Sequence, residues 1–105
     1  MPKYLMEAKF TPQGVQGLRN EGGTSRRDVV EKAVASVGGT VESFNFAFGE
    51  FDTYTIMEMP DNGSAAAVSM AITGSGAVMT RIVVLLTPEE VDTVRQSVDY
   101  RPPRC

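Results

Sequence analysis

Residues 41–59, VESFNFAFGEFDTYTIMEM, decide the fold. Phe44, Phe46 and Phe48 alternate with smaller residues, Gly49-Glu50-Phe51-Asp52 interrupts the run, and a second β-rich stretch from Thr53 to Met59 follows. Period-two apolar alternation on both sides of a turn-forming segment reads as a β-hairpin with one buried face. Three of the five phenylalanines fall within five positions here. Each such ring contributes roughly 1.5–3 kcal/mol on leaving water, so the ribbon needs cover. Its register has two solutions. A turn of two or four residues puts the phenylalanines on one face with Thr53, Thr55 and Met57, whereas a turn of three puts them with Tyr54, Ile56 and Glu58.

Upstream, Tyr4, Met6, Ala8 and Phe10 alternate with Lys3, Leu5, Glu7 and Lys9, the pattern of a half-buried strand. Thr11-Pro12 supplies an N-cap and an N1 proline, predicting a turn or two of helix that carries Val15 and Leu18 as far as Gly22-Gly23. A second helix is expected to open at Ser25-Arg26-Arg27-Asp28, a loose capping box, and to run through Val30, Val34 and Val37 to Gly38-Gly39. Downstream, Met59-Pro60 closes the hairpin. Asp61 to Ser64 then caps a helix from Ala65 to about Thr73, which Gly74-Ser75-Gly76 ends. Ala77 to Leu86 follows, and its Ile82-Val83-Val84-Leu85-Leu86 does not alternate, predicting a strand covered on both faces. Thr87-Pro88-Glu89-Glu90 completes a capping box for a final helix with Val91, Val94 and Val98, after which Tyr100-Arg101-Pro102-Pro103 runs extended along a surface.

Strand, helix, strand, strand, helix, strand, with a helix added, is the βαββαβ order of an α+β ferredoxin-like sandwich. Two main helices cover one face of four strands. A second copy of the same sheet is the economical cover for the other, so the expected partner is the chain itself, as a homodimer or higher homo-oligomer.

At 105 residues the chain forms a single domain, 1–105, and 42% hydrophobic with 22% charged residues fits a folded core. A net charge of −3 offers no footprint for a phosphate backbone, so no nucleic-acid partner is expected. The longest apolar run, Ile82 to Leu86, is five residues against the roughly 20 of a membrane span, and MPKYLMEAKF has no signal-like apolar core. The default expectation is therefore cytoplasmic, with no membrane partner. The one cysteine, Cys105, permits no internal disulfide. The absence of histidine excludes Ser-His-Asp and Cys-His nucleophile systems, histidine-ligated haem and the usual zinc sites. No cofactor and no metal site are expected.

The opening MPKY, the EGG and SRR of Glu21 to Arg27, the FAFGEFD of Phe46 to Asp52, the LTPEEVD of Leu86 to Asp92 and the closing YRPP together resemble the GYD domain family, placed with the dimeric α/β-barrel superfamily. The likeness covers nearly the whole chain. It departs at Phe51, where the family has tyrosine. The resemblance implies a ferredoxin-like monomer whose sheet pairs with a partner's sheet. The wider superfamily mixes cofactor-free oxygenases, isomerases, haem enzymes and domains without known activity, and fold analogy does not choose among them.

Residues with chemical potential each carry a functional and a structural reading. Arg26 and Arg27, after Gly22-Gly23 at a helix start, suit a carboxylate or phosphate; structurally they pair with Asp28, Glu31 or a neighbouring subunit's acid. Asp52 either faces a ligand or bonds backbone amides in the hairpin turn. Tyr54 and Glu58 lie four apart and so on one side of their strand, where Glu7, Lys9, Asn45 and Arg81 join them if the register allows. That cluster lines a small-molecule pocket or forms a salt-bridge network at a dimer interface. Met57, Met59, Met70 and Met79 make an adaptable cavity or ordinary core. The leading expectation is a homo-oligomer that holds a small organic or anionic ligand between sheet and helices, with Arg26 and Arg27 on the charged end and Tyr54, Glu58 and Asp52 orienting the rest. The alternatives are a cofactor-independent oxygenase or isomerase, with Glu58 or Asp52 as base and Tyr54 as donor, and an interaction module without a ligand.

Overall fold

In the computed structural model, which describes residues 1–104, the chain runs β1 (Lys3–Phe10), α1 (Pro12–Glu21), α2 (Gly23–Ala35), β2 (Thr40–Phe46), β3 (Thr53–Glu58), α3 (Asn62–Gly74), β4 (Val78–Leu85) and α4 (Pro88–Val94). The strands form one antiparallel sheet in the order β2-β3-β1-β4, the ferredoxin-like arrangement. Cys105 lies outside the described residues.

The hairpin takes its four-residue register. Phe44 stands opposite Thr55 and Phe46 opposite Thr53, and the Ala47 N–H donates to the Asp52 carbonyl at 2.8 Å, leaving 48–51 as the loop. A bulge between Val41 and Ser43 keeps Val41, Phe44 and Phe46 on the same side. Phe48 does not join them. It sits at the loop tip, fully exposed, because the strand pairing has already ended at Phe46.

Alternation along the strands sorts the faces. Tyr4, Met6, Met57 and Met59 meet Val30 and Val34 of α2 and Ala65 and Val68 of α3 in the main core, while Ala8, Phe10 and Val78 form a smaller cluster toward α1. Of the four central methionines, Met57 and Met59 are thus core, and Met70 and Met79 are exposed. α1 to α3 cover this face of the sheet; the opposite face carries no helix.

Several helix boundaries differ from expectation. α1 continues for ten residues rather than a turn or two, since Thr11 caps it through the Gly14 N–H at 3.1 Å and neither Gly14 nor Gly17 breaks it. α2 starts at Gly23, two residues before Ser25, with no side-chain cap. The reason is Gly22: at φ +87° it donates its N–H to Leu18 and serves at once as C-cap of α1 and N-cap of α2. Asp61 caps α3 through the Ser64 N–H at 2.7 Å, and Thr87 and Glu90 form both bonds of the capping box on α4. α4 stops at Val94, leaving Val98 outside it.

β4 is an edge strand, and Val83 and Val84, on opposite faces of it, are 37% and 57% exposed. The expected cover on both faces is therefore not supplied within one protomer. Every residue from 88 to 104 is exposed, and the radius of gyration of 16.6 Å exceeds the roughly 13 Å of a compact chain this long. This C-terminal arm stands off the body.

Candidate functional site

The uncovered face of the sheet is arranged in rungs. One rung pairs Asn45, Tyr54, Glu7 and Arg81 across the four strands; the next is Ser43, Ile56, Leu5 and Val83; the third holds Glu58, Lys3 and Leu85. A polar rung, an apolar rung and a second polar rung thus lie side by side.

The Glu7 rung is the most organised. Glu7 is only 7% exposed although it lies on the open face, because Arg81 covers it: Nε donates to Oε1 at 2.9 Å and Nη2 to Oε2 at 3.2 Å. This bidentate pairing fixes the guanidinium plane. The guanidinium lies 4.7 Å from the Phe51 ring centroid, and Phe51 meets Tyr54 edge-on at 6.2 Å. The hydrogen bond from Arg81 to Glu7, and then the carboxylate charge itself, raise the Arg81 pKa above its ordinary value. More than half of the Arg81 side chain remains exposed, and the Tyr54 hydroxyl has no hydrogen-bond partner among the described residues. The group therefore presents spare cationic donors and a phenol to whatever covers the face.

The other sequence-selected residues divide between the two sides of the sheet. Asp52 closes the end of the hairpin: Oδ2 accepts the Phe10 N–H at 2.8 Å and Oδ1 lies 4.0 Å from Lys9 Nζ. It is committed to joining β1 to the loop. Glu58 shares the open face with Tyr54 but sits two rungs away, about 13 Å along the strand. It neighbours Lys3, whose ammonium bonds Glu42 at 2.9 Å and whose pKa is raised chiefly by that bond. Arg27 is paired along its own helix with Asp28 at 3.4 Å and Glu31 at 3.5 Å. Arg26, half-buried, has no acceptor among the described residues; it lines a groove of about 240 Å³ with Gln13, Gly17, Glu21 and Val78 on the helical side. Arg26 and Arg27 are thus separated by the sheet from Tyr54 and Glu58, and the five residues do not converge on one site within a protomer.

A family model described as GYD domain matches residues 4–94. The chain belongs to the GYD domain family. Comparisons with curated proteins and with solved structures find no match. In this GYD domain the motif's aromatic position is Phe51, which has no hydroxyl to offer and instead supplies the ring face against which Arg81 rests. Among the described residues no group of three or more acidic, cysteine or histidine side chains is placed to hold a metal, and no helix is long and apolar enough to cross a membrane. Sequence reading placed Glu7 and Arg81 only as conditional neighbours of Tyr54. The signal that singles them out is a carboxylate on the open-face alternation of one strand with an arginine on another, and it becomes decisive only with the β1–β4 register.

Proposed function

We propose that this GYD domain acts as a homo-oligomer, at least a dimer, that binds a small organic anion on the open face of its sheet. The observation that carries the reading is the Glu7–Arg81–Phe51–Tyr54 group, in which a nearly buried carboxylate and an aromatic ring hold an arginine rigid while leaving part of its donor fork unused. A ligand carboxylate takes the free edge of Arg81, the Tyr54 hydroxyl donates to a second acceptor, and Leu5, Ile56 and Val83 receive the apolar body. A second copy laid over this face buries the apolar rung and excludes water, which strengthens the charged contacts. Arg26 offers a separate cationic position on the helical side. Binding is better supported than oxygenase or isomerase chemistry: such a reaction needs a free base beside the Tyr54 donor, and Glu7 opposite it is held on both oxygens by Arg81, Asp52 is occupied and Glu58 is two rungs away.

Native mass spectrometry of freshly purified protein tests copy number and any retained mass. NMR titration with benzoate then tests the site. The expected result is a dimer or larger species whose Tyr54, Ile56 and Arg81–Val83 amides shift, with affinity about tenfold weaker in Arg81→Met, a loss of about 1.4 kcal/mol. A monomer whose open-face amides ignore benzoate overturns the reading.

A further inference from the structure

We infer that the C-terminal arm, residues 88–104, is an oligomerisation clasp whose valine stripe packs on a second copy of this chain. The inference rests on the oligomer reading above and not on its ligand. The first argument is that the arm is built to pack and has nothing to pack on. α4 has both bonds of its capping box, yet at seven residues it is far below the roughly 12–15 at which a helix holds by itself in water, so its persistence calls for tertiary cover. Val91 and Val94 are 47% and 53% exposed, and Val98 and Tyr100 beyond them about 70%. Val91, Val94 and Val98 are spaced i, i+3, i+7, one helical face, and Arg95-Gln96-Ser97 between them contains no breaker before Pro102. Cover on that face extends the helix through Val98.

The second argument concerns which surface provides the cover. The chain's own apolar groove, between α3 and β4 and lined by Tyr4, Ala66, Met70, Ile82 and Val84, lies on the helical side of the sheet. α4 does not enter that groove: none of its residues lines it, and Val91 and Val94 stay exposed. Glu90 has its carboxyl pKa lowered first by the Thr87 backbone N–H, and further by the charges of the N-terminal amine and of Lys3, whose side chain belongs to the open face. Only Leu86 and Thr87 separate β4 from α4, and Thr87 is fixed as the cap, so the link has no slack to carry the helix back around the edge strand. The arm therefore stays off its own groove, and the bare apolar rung of Leu5, Ile56 and Val83 is the surface across which a second copy comes within its reach. A copy docked on that bare face meets the valine stripe directly, and the two arms of a symmetric pair embrace reciprocally.

Trypsin provides the test on the full chain, because Arg95–Gln96 is the arm bond it cuts within 88–103, Arg101 being followed by proline. Cleavage after Arg95 is followed by mass spectrometry over a dilution series, with sedimentation measuring the dimer fraction in parallel. The expected result is protection that rises with the dimer fraction, and a dimer dissociation constant raised about tenfold or more in the double variant Val91→Asp, Val94→Asp, whose circular dichroism otherwise remains that of the wild type. Equal cleavage at every concentration overturns the clasp, and so does protection at every concentration, which marks an arm folded back on its own groove. An unchanged dissociation constant in the double variant overturns it too. A dimer with a freely cleaved arm removes the clasp alone, whereas a chain that stays monomeric throughout removes the oligomer reading as well.

Discussion

Glu7 shows how much a single position depends on its neighbours. In the sequence it is one polar member of an alternating strand; in the fold it is a carboxylate shielded from water by an arginine 74 positions later. The pair was visible in the chain only as two residue types, since which arginine faces which glutamate depends on the β1–β4 register. Thr55 poses the opposite case. Its hydroxyl is wholly buried beside Phe44 and Met6 positions and has no hydrogen-bond partner among the described residues. An orphaned buried polar group costs free energy that an apolar isostere does not. Thr55→Val is therefore expected to stabilise the domain by about 1 kcal/mol, read as a higher urea midpoint at unchanged slope. A lower midpoint means that the hydroxyl is satisfied by water in solution.

At the scale of elements, the α1–α2 corner concentrates several glycines with different duties. A methyl at Gly14 would run into the Ala77 carbonyl, whereas one at Gly17 meets nothing within 4 Å. Gly14→Ala is expected to lower stability by about 1–3 kcal/mol through overpacking, and Gly17→Ala to raise it by about 0.5–1 kcal/mol through helix propensity; thermal melts of both variants check the contrast. The cap of α3 makes a pH-dependent contribution. The Ser64 N–H lowers the Asp61 pKa below the ordinary 3.8. Because the folded value is the lower one, the cap's contribution is complete above the unfolded value and is lost as pH falls through the folded value, below about pH 4. Asp61→Asn keeps an acceptor that does not titrate, so its melting temperature should fall less steeply than wild type on acidification below that point. Parallel curves show that the cap carries no linkage. These caps were legible as local signatures. The α2 start was not, because the positive φ of Gly22 makes a direct helix-to-helix corner that a downstream Ser-x-x-Asp pattern conceals.

Seen as a whole molecule, the domain has one finished side and one unfinished one. Helices cover Tyr4, Met6 and Met57, while Leu5, Ile56 and Val83 on the reverse wait for cover, and the arm projects beyond the body. Placing a charge in the middle of that apolar rung should separate the copies without unfolding them. Ile56→Lys is accordingly expected to sediment as a monomer at concentrations where wild type does not, with its far-ultraviolet spectrum retained; an unchanged sedimentation profile places the interface elsewhere. The sequence by itself determined the βαββαβ order, three of the four helix caps and the family, because alternation, capping chemistry and turn residues act over a few positions and need no distant partner. Only the tertiary structure decided that Phe48 leaves the core, that Arg26 and Arg27 lie across the sheet from Tyr54 and Glu58, and that Arg81 closes over Glu7. Those outcomes depend on loop length and strand register, where a shift of one residue exchanges the two faces of a sheet.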